Sequence, residues 1–305
     1  MASPTPPAAA PAPAAADWLL FLTPSLIWGT TWYAIKFQLG AVAPEASVGY
    51  RFALAAALLF GWCLVRGTAL SFDRRRHAAF ALLGALLYGA NYVLVYLSEA
   101  YLASGVVALL FGTMVLWNLV GARLLFGTPL TAPVIAGATL GLAGVTLVVW
   151  PDLLALGRGA GQGLGVLLAL TSTVIASAGN LWSQRLFRAG IPVVACTAWS
   201  MAYGAALVLL WCVVRGVPFT FDNAPPYLWS LGYLAVFGSI AAFITYLTLL
   251  QRIGAGRAGY TSVVIPVVAM GTSTVFEGYR WTAPAAAGMV LVLIGNVLIL
   301  RKRGS

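Results

Sequence analysis

Histidine, cysteine and charge are all scarce in this sequence. Its 305 residues include one histidine and three cysteines, and only 8% of them are charged. The Cys and His residues lack the spacing of zinc or haem ligands, so we expect no metal and no cofactor. The cysteines all lie within apolar stretches, where thiols pack as small hydrophobic groups, and they are Cys63, Cys196 and Cys212.

Acidic residues are the rarest charged type, and they avoid the middle of the apolar stretches. The seven acids lie at the ends of these stretches or between them: Asp17, Glu45, Asp73, Glu99, Asp152, Asp222 and Glu277. A charge at the bilayer centre costs about 3 kcal/mol on insertion scales and marks an ion pathway, so this pattern argues against a buried proton relay and a permanently charged substrate. Lys36 and Arg51 lie nearer the outer edge, where we expect them to snorkel rather than to attract a substrate carboxylate.

Apolar residues make up most of the chain. They account for 61% of it, and the mean hydropathy is +0.94, which leaves too little polar surface for a water-soluble fold. A membrane-spanning helix needs about 20 largely apolar residues. The sequence therefore predicts an all-α integral membrane protein with ten transmembrane helices, at residues 18–37, 44–65, 77–98, 104–125, 131–150, 163–185, 192–214, 227–251, 255–276 and 282–300.

The Lys and Arg residues indicate the orientation of these helices. The net charge of +10 lies in short loops, which favours a topological explanation over a nucleic-acid partner. With ten spans, a minority of the 17 basic residues falls on one side of the membrane: Lys36, Arg51, Arg158, Arg215 and Arg280. The richer side should be the cytoplasm, so we expect a multi-pass protein of the cell (inner) membrane with both termini cytoplasmic.

The chain contains an internal repeat. Residues 104–150 match residues 255–301 at a constant offset of 151 without a gap, and the matches include Gly127 with Gly278 and Gly144 with Gly295. Shared small residues at fixed spacing indicate that the same close helix contacts were built twice. Because each unit has five spans, the second should enter the bilayer in the opposite orientation. Transporters with such inverted repeats bind substrate near the midplane, between the units.

The predicted boundaries follow from this repeat. An Ala- and Pro-rich tail over residues 1–16 should be disordered, and it lacks the basic segment of a cleaved signal peptide. Repeat 1 covers residues 17–150, a linker 151–162, repeat 2 163–301 and a basic C-terminal tail 302–305.

Several segments resemble the EamA-type drug/metabolite transporter superfamily. They are Trp28 to Lys36, Arg51-Phe52, Ile253 to Tyr260 leading to Pro266, and Phe276 to Thr282. Within it the chain is most similar to the YddG-type exporters of aromatic and other neutral amino acids. The resemblance covers nearly all of residues 18–301 and implies two inverted five-helix units and export from the cytoplasm. The first unit departs from the family pattern, because Val115 replaces a proline in the fourth span and Phe126 replaces an acid after it.

Polar and aromatic residues recur on single faces of several predicted helices. The sixth span has Ser177 and Asn180 on one face, and the third has Tyr88, Asn91 and Tyr92. In lipid such groups either line a shared cavity or bond neighbouring helices together. We interpret them as cavity walls, with packing as the alternative. The predicted substrate-binding residues are Trp28, Tyr88, Asn91, Tyr92, Phe111, Met114, Ser177, Asn180, Ser239, Phe243, Tyr246 and Ser262.

Three residues are predicted gating hinges. Pro24 and Pro266 interrupt the first and ninth spans, and Gly112 softens the fourth. Proline removes a helical hydrogen bond and kinks the helix. We expect the fourth and ninth spans to bend, which opens the cavity to one side at a time.

These observations predict a transporter of small neutral metabolites, amino acids with aromatic or other apolar side chains first among them, and the resemblance alone implies that it exports them. A neutral, aromatic-walled cavity suits a zwitterion whose ammonium group lies on a ring face. The substrate and the lipid bilayer are the expected partners, and the carrier can act as a monomer. Facilitated movement is favoured, with proton exchange through Glu99 or Glu277 as the alternative. Other functions left open are export of another metabolite or drug class, a membrane-embedded enzyme, or a lipid-handling protein.

Overall fold

The computed structural model describes residues 15–127, 129–154, 161–249 and 261–301, which form helices joined by short loops. The helices are α1 (Ala15–Lys36), α2 (Pro44–Val65), α3 (Arg74–Glu99), α4 (Ser104–Phe111 and Met114–Phe126), α5 (Ala132–Leu154), α6 (Gln162–Arg188), α7 (Val193–Arg215), α8 (Pro225–Leu249), α9 (Thr261–Phe276) and α10 (Ala283–Arg301). Residues 1–14 of the predicted disordered tail, half of the predicted linker (residues 155–160) and the motif segment 253–260 lie outside the described residues.

Six of these helices are long and apolar enough to cross a membrane, namely α2, α3, α4, α6, α7 and α8. Shorter apolar helices occur within α5, α9 and α10, at Ala132–Val148, Val264–Phe276 and Ala283–Leu298. Many large apolar side chains are exposed on the outside of the bundle, among them Leu64, Leu124 and Trp229. An apolar exterior of this extent matches a lipid environment. The protein is therefore an all-α membrane protein.

Local signals explain where several helices begin and end. Pro44 occupies the first turn of α2, where a missing N–H costs no helical hydrogen bond. Asp73 caps α3, because its carboxylate accepts the backbone N–H of Arg76 at 2.7 Å. Gly127 and Gly278 follow α4 and α9 with φ angles of 67° and 66°. The left-handed conformation favours glycine at a helix end, which explains this matched pair of the repeat.

Two helices contain π-helical segments, Gly84–Ala90 in α3 and Leu234–Ala241 in α8. A π-helical turn accommodates an extra residue and is frequent at functional sites. The sequence offset of 151 maps residues 84–90 onto 235–241, so the two segments occupy equivalent positions in the two predicted units.

Helices α5 and α10 touch backbone to backbone through glycines. A Cβ atom placed on Gly144 would lie 2.5 Å from the carbonyl oxygen of Gly288. One placed on Gly295 would lie 2.5 Å from the carbonyl oxygen of Gly137. Later residues of α5 thus meet earlier residues of α10, so the two helices run antiparallel. No larger residue fits at this crossing, which accounts for the glycines that the two predicted units share.

The other major packing pairs also join the first part of the chain to the second. Helix α1 packs against α9, α2 against α7, and α4 against α6. Helix α3 packs against α7, and α8 packs against α2. One hydrophobic core runs through the bundle and includes Phe52, Tyr88, Leu109, Met201 and Leu234. The three cysteines are buried and free, which confirms their interpretation as small buried side chains.

The Gly144→Val substitution should destabilise the protein by about 1–3 kcal/mol, because the added side chain forces α5 and α10 apart. Thermal unfolding of the purified protein in detergent measures this effect. Gly141→Ala on the same helix is the matched control, since a Cβ atom at Gly141 has nothing within 4 Å. Equal melting temperatures for the two variants would contradict the close contact.

Candidate functional site

Arg51 of α2 lies in the interior of the bundle, and its side chain is 1% exposed. Its Nε donates to the hydroxyl of Ser239 at 3.0 Å, and its Nη1 donates to the hydroxyl of Tyr96 at 3.4 Å. The guanidinium also lies 4.6 Å from the ring centroid of Tyr92, a cation–π contact. The expectation that Arg51 snorkels to the interface is therefore wrong, because groups on α3 and α8 solvate the charge in place of water.

Six aromatic residues from α1, α2, α3 and α8 form a continuous series of ring contacts that begins at Arg51. The distances between neighbouring ring centroids run from 4.8 Å, for Phe52 and Tyr92, to 5.3 Å. Tilted and edge-to-face pairs at these distances are favourable beyond the area that they bury. We call these residues the aromatic cluster: Trp28, Phe52, Tyr88, Tyr92, Phe243 and Tyr246. All but Phe52 are among the predicted substrate-binding residues.

The π-helical segment of α8 presents polar groups to α1 and α2. The carbonyl oxygen of Gly238 accepts the indole N–H of Trp28 at 3.1 Å. The Ser239 hydroxyl donates to the Leu234 carbonyl at 2.9 Å while it accepts from Arg51. A Cβ atom on Gly238 would lie 3.2 Å from Nη2 of Arg51, so the glycine lets the guanidinium approach the α8 backbone.

Two buried polar atoms beside the aromatic cluster have no hydrogen-bond partner in the protein. They are Nε1 of Trp32, one turn beyond Trp28, and Oδ1 of Asn91, next to Tyr92. The amide nitrogen of Asn91 donates only to the Leu87 carbonyl, at 3.3 Å. A buried polar group without a partner is costly. One of these atoms is a donor and the other an acceptor.

The remaining polar candidates lie between α4 and α6. The Ser177 hydroxyl donates to Oδ1 of Asn118 at 2.8 Å, and Nδ2 of Asn180 lies 3.3 Å from the sulfur of Met114. The predicted residues Ser177, Asn180 and Met114 thus connect α4 to α6, which is the packing alternative given in the sequence analysis. Phe111 of α4 instead faces α1, with its ring 5.2 Å from that of Trp32.

The predicted hinges lie in α1, α4 and α9. Helix α4 breaks at Gly112, between its two helical segments. A Cβ atom on Gly112 would lie 3.9 Å from Cγ of Pro266, so the break and the buried proline of α9 face each other. Pro24 lies inside the continuous helix α1. The side chain of Ser262 lies outside the described part of the chain.

A cavity of about 250 Å³ lies outside the aromatic cluster. It is lined by Leu86 of α3, Leu125 of α4, and Leu181, Trp182 and Arg185 of α6. Its wall is almost entirely apolar. The aromatic cluster, in contrast, is packed ring against ring.

A second polar cluster lies where α1, α3 and α9 end and α4 begins. Nζ of Lys36 donates to the carbonyl oxygens of Glu99 and Leu102, each at 2.5 Å, and lies 3.9 Å from Oε1 of Glu277. The Glu277 carboxylate accepts the backbone N–H of Ser104 at 3.1 Å and its hydroxyl at 2.5 Å. The Lys36 side chain is 26% exposed, and protein carbonyl groups bind its ammonium at this end of the bundle.

Arg51 is missing from the substrate-binding residues that the sequence predicts, and Glu99 appears in the sequence analysis only as an alternative proton-exchange residue. For Glu99 a signal was present, since Tyr92, Tyr96 and Glu99 follow one another at helical spacing on one face of α3. For Arg51 no local pattern shows the burial, because its partner Ser239 lies 188 residues away in the sequence.

Comparison with solved structures supports the fold. One crystal structure of a protein superposes with a TM-score of 0.69, at 20% sequence identity, over 96% of this chain and 100% of the other. At that identity the likeness shows the fold alone.

Several proteins with similar sequences are named as transporters. The uncharacterised inner membrane transporter YedA of Escherichia coli is 28% identical, over 91% of this chain and 90% of its own length. An uncharacterised transporter of Archaeoglobus fulgidus is 23% identical, over 94% and 99%. The S-adenosylmethionine/S-adenosylhomocysteine transporter of Chlamydia trachomatis is 24% identical, over 83% and 79%.

The family comparison covers nearly the whole chain in two segments. The model of the EamA-like transporter family matches residues 17–150 and again residues 163–301. The apolar membrane-crossing helices agree with this match, and the resemblance noted in the sequence is confirmed. The protein is a multi-pass membrane transporter, and it belongs to the EamA-like transporter family.

Proposed function

We propose that the protein exports small neutral metabolites, above all aromatic and other apolar amino acids, from the cytoplasm by alternating access. The observation that carries this proposal is the buried Arg51 beside the aromatic cluster, which α1, α2, α3 and α8 build together. These helices come from both predicted units, and inverted-repeat transporters bind their substrates between the units. Membership in a transporter family favours transport over the membrane-embedded enzyme or lipid-handling protein.

The substrate carboxylate binds the guanidinium of Arg51. That group has a long 3.4 Å contact to Tyr96, which a bidentate carboxylate replaces with two charge-assisted hydrogen bonds. The indole N–H of Trp32 is a further donor for the carboxylate. Because Arg51 lies within 5.1 Å of the Phe52 centroid as well, the anion binds beside rings that suit an apolar side chain.

The substrate ammonium group binds on the acceptor side of the same site. Oδ1 of Asn91 is a free acceptor, and the ring faces of Trp28 and Tyr246 attract a cation. A zwitterion thus pairs both of its charges while it leaves the total charge of the site unchanged. This balance favours amino acids over amines or anions.

Two inverted five-helix units form the transport pathway. Helix contacts that recur when the two units are exchanged support this arrangement. Helix α1 packs against α9, and their equivalents α6 and α4 also pack together. Likewise α3 packs against α7, and their equivalents α8 and α2 pack together. The glycine contacts are exchanged in the same way, since Gly144 meets Gly288 while Gly137 meets Gly295. Such reciprocal pairing is the property of a two-fold axis. The antiparallel course of α5 and α10 supports an axis in the membrane plane.

The basic loops support cytoplasmic termini. The end of the bundle at Lys36 and Glu277 then faces away from the cytoplasm. Bending at Gly112 and Pro266, which face each other across α4 and α9, opens one end of the pathway at a time.

Transport of S-adenosylmethionine-like compounds is a second candidate. The Chlamydia trachomatis relative is named for this substrate and for S-adenosylhomocysteine. Both compounds combine an α-amino acid group with an aromatic base, so the same arginine and ring contacts can bind them. Competition against labelled phenylalanine in proteoliposomes separates the two candidates. Stronger competition by S-adenosylmethionine than by leucine or tyrosine favours the second.

The Arg51→Gln substitution should raise KM for phenylalanine by about 30-fold or more, because removal of one partner of a buried charge pair costs about 2–5 kcal/mol. Saturable uptake by proteoliposomes measures this change. Arg66→Gln is the matched control, since Arg66 follows α2, is exposed, and contacts the Trp62 ring; its KM should equal that of the unmodified protein.

Competition by 2-phenylethylamine, which lacks the carboxylate, separates lost recognition from misfolding. The unmodified protein should prefer phenylalanine strongly, and Arg51→Gln should lose most of this preference. A variant that folds and keeps the full preference would show that the carboxylate binds elsewhere.

The Pro266→Ala substitution should slow transport about tenfold, since a change of about 1.4 kcal/mol between the two conformations is enough for that factor. Alanine restores the hydrogen bond that proline removes and straightens α9. Initial uptake rates measure the effect, and Pro44→Ala in the first turn of α2 is the control. Unchanged rates for Pro266→Ala would mean that α9 does not bend at this residue.

A further inference from the structure

Glu99 is a buried carboxyl group without a hydrogen-bond donor. It is the last residue of α3, and it is 1% exposed. Neither Oε1 nor Oε2 has a hydrogen-bond partner, although the backbone carbonyl of the same residue binds Lys36. An ionised carboxylate without partners is very unfavourable inside a protein, whereas the protonated acid is tolerated there.

The cations around Glu99 bind other groups in this conformation. Lys36 of α1 donates to the carbonyls of Glu99 and Leu102, and Arg51 of α2 donates to Ser239 and Tyr96. Both cations lie within electrostatic range of the Glu99 carboxyl, but neither hydrogen-bonds to it. Two cations therefore lie near the Glu99 carboxyl group, but neither forms a hydrogen bond with it.

The other ionisable groups near Glu99 do not replace these cations. Glu277, at the end of α9, is also within electrostatic range and is itself an acid. Tyr92 and Tyr96 lie on the same helix, Tyr33 is on α1, and Tyr101 follows α3. In α4 and α6 the ionisable residues of the described chain begin only at Arg123 and Arg185, toward the opposite helix ends.

The contacts beside Glu99 join the two parts of the chain at this end of the bundle. Glu277 caps the first turn of α4 through Ser104, and Lys36 connects α1 to the loop between α3 and α4. Movement of α9 away from α4 breaks the cap and admits water to the space around Glu99. The carboxyl group can then ionise and pair with Lys36, whose ammonium no longer faces Glu277.

We propose that Glu99 is a proton-binding site whose occupancy is linked to closure of this end of the bundle. The acid holds its proton while the end is closed. When the end opens, the proton passes to water on that side, and the carboxylate pairs with Lys36. Closure therefore takes up one proton and is favoured as the pH on that side falls. This proposal deepens the transport function proposed above and rests on it.

The same geometry links the proton to the substrate. Tyr96 contacts Arg51 and lies one turn before Glu99 on α3. A substrate carboxylate on Arg51 places a negative charge close to Glu99 and so favours its protonation. By thermodynamic reciprocity, protonation of Glu99 strengthens substrate binding at Arg51 by the same factor.

Infrared spectroscopy tests the proton directly, without any assay of transport. The full-length protein in lipid at neutral pH should show the C=O stretch of a protonated carboxyl group, and this band should vanish in Glu99→Gln. Glu45→Gln is the matched control, because Glu45 is a half-buried acid in the first turn of α2, at the same end of the bundle. Retention of the band in Glu99→Gln, or its absence from the unmodified protein, overturns the proposal.

Exchange of phenylalanine at equal pH on both sides tests the link to the transport cycle. The exchange rate should change with pH, by up to about tenfold per unit for one linked proton. Glu99→Gln should exchange at a rate that does not depend on pH, whereas Glu45→Gln should behave like the unmodified protein. The same pH dependence in Glu99→Gln and the unmodified protein overturns the link.

Thermal unfolding shows whether the Glu99→Gln variant is correctly folded. Glutamine has the shape of protonated glutamate, so Glu99→Gln should melt at or above the temperature of the unmodified protein. A Glu99→Gln variant that fails to fold shows that the ionised form is required and overturns the proposal. If the carboxyl band is present but neither protein moves any amino acid, the proposed function fails while the proton site stands.

Discussion

Polar groups inside the bundle depend on the protein for their hydrogen-bond partners, because the bilayer core offers none. The pairing of Arg51 shows this constraint most clearly. Its guanidinium is held by hydroxyl groups on α3 and α8 and by the ring of Tyr92. Removal of any one of these helices would leave a buried charge without solvation. The positions of α2, α3 and α8 around this residue therefore depend on one another.

Small residues and irregular turns make that pairing geometrically possible. Gly238 lets the guanidinium approach α8, and the π-helical turn around it directs Ser239 toward Arg51. On the other side of the bundle, glycines allow α5 and α10 to touch along their backbones. In the proposed mechanism the first arrangement serves substrate recognition and the second serves rigidity, since helices that bend to admit a substrate move against helices that stay together.

The two polar clusters connect recognition with closure. Arg51 contacts Tyr96, and Tyr96 precedes Glu99 by one helical turn, next to the Lys36 and Glu277 contacts that join the halves of the chain. A change of charge at either cluster is felt at the other, because the intervening medium has a low dielectric constant. In the proposed mechanism, substrate binding and closure of this end of the bundle therefore share one electrostatic environment.

The sequence alone determined the helices, their order and the close contacts of the repeat. Runs of about 20 apolar residues can only be helical in lipid, and matched glycines such as Gly144 and Gly295 serve close packing wherever helices cross. Five members of the aromatic cluster were also visible, because they share helix faces. The burial of Arg51 and the partners of Lys36 were decided by the tertiary structure. Arg51 binds groups 45 and 188 residues away, and the burial of a charge depends on the neighbours that replace water, which no local pattern encodes.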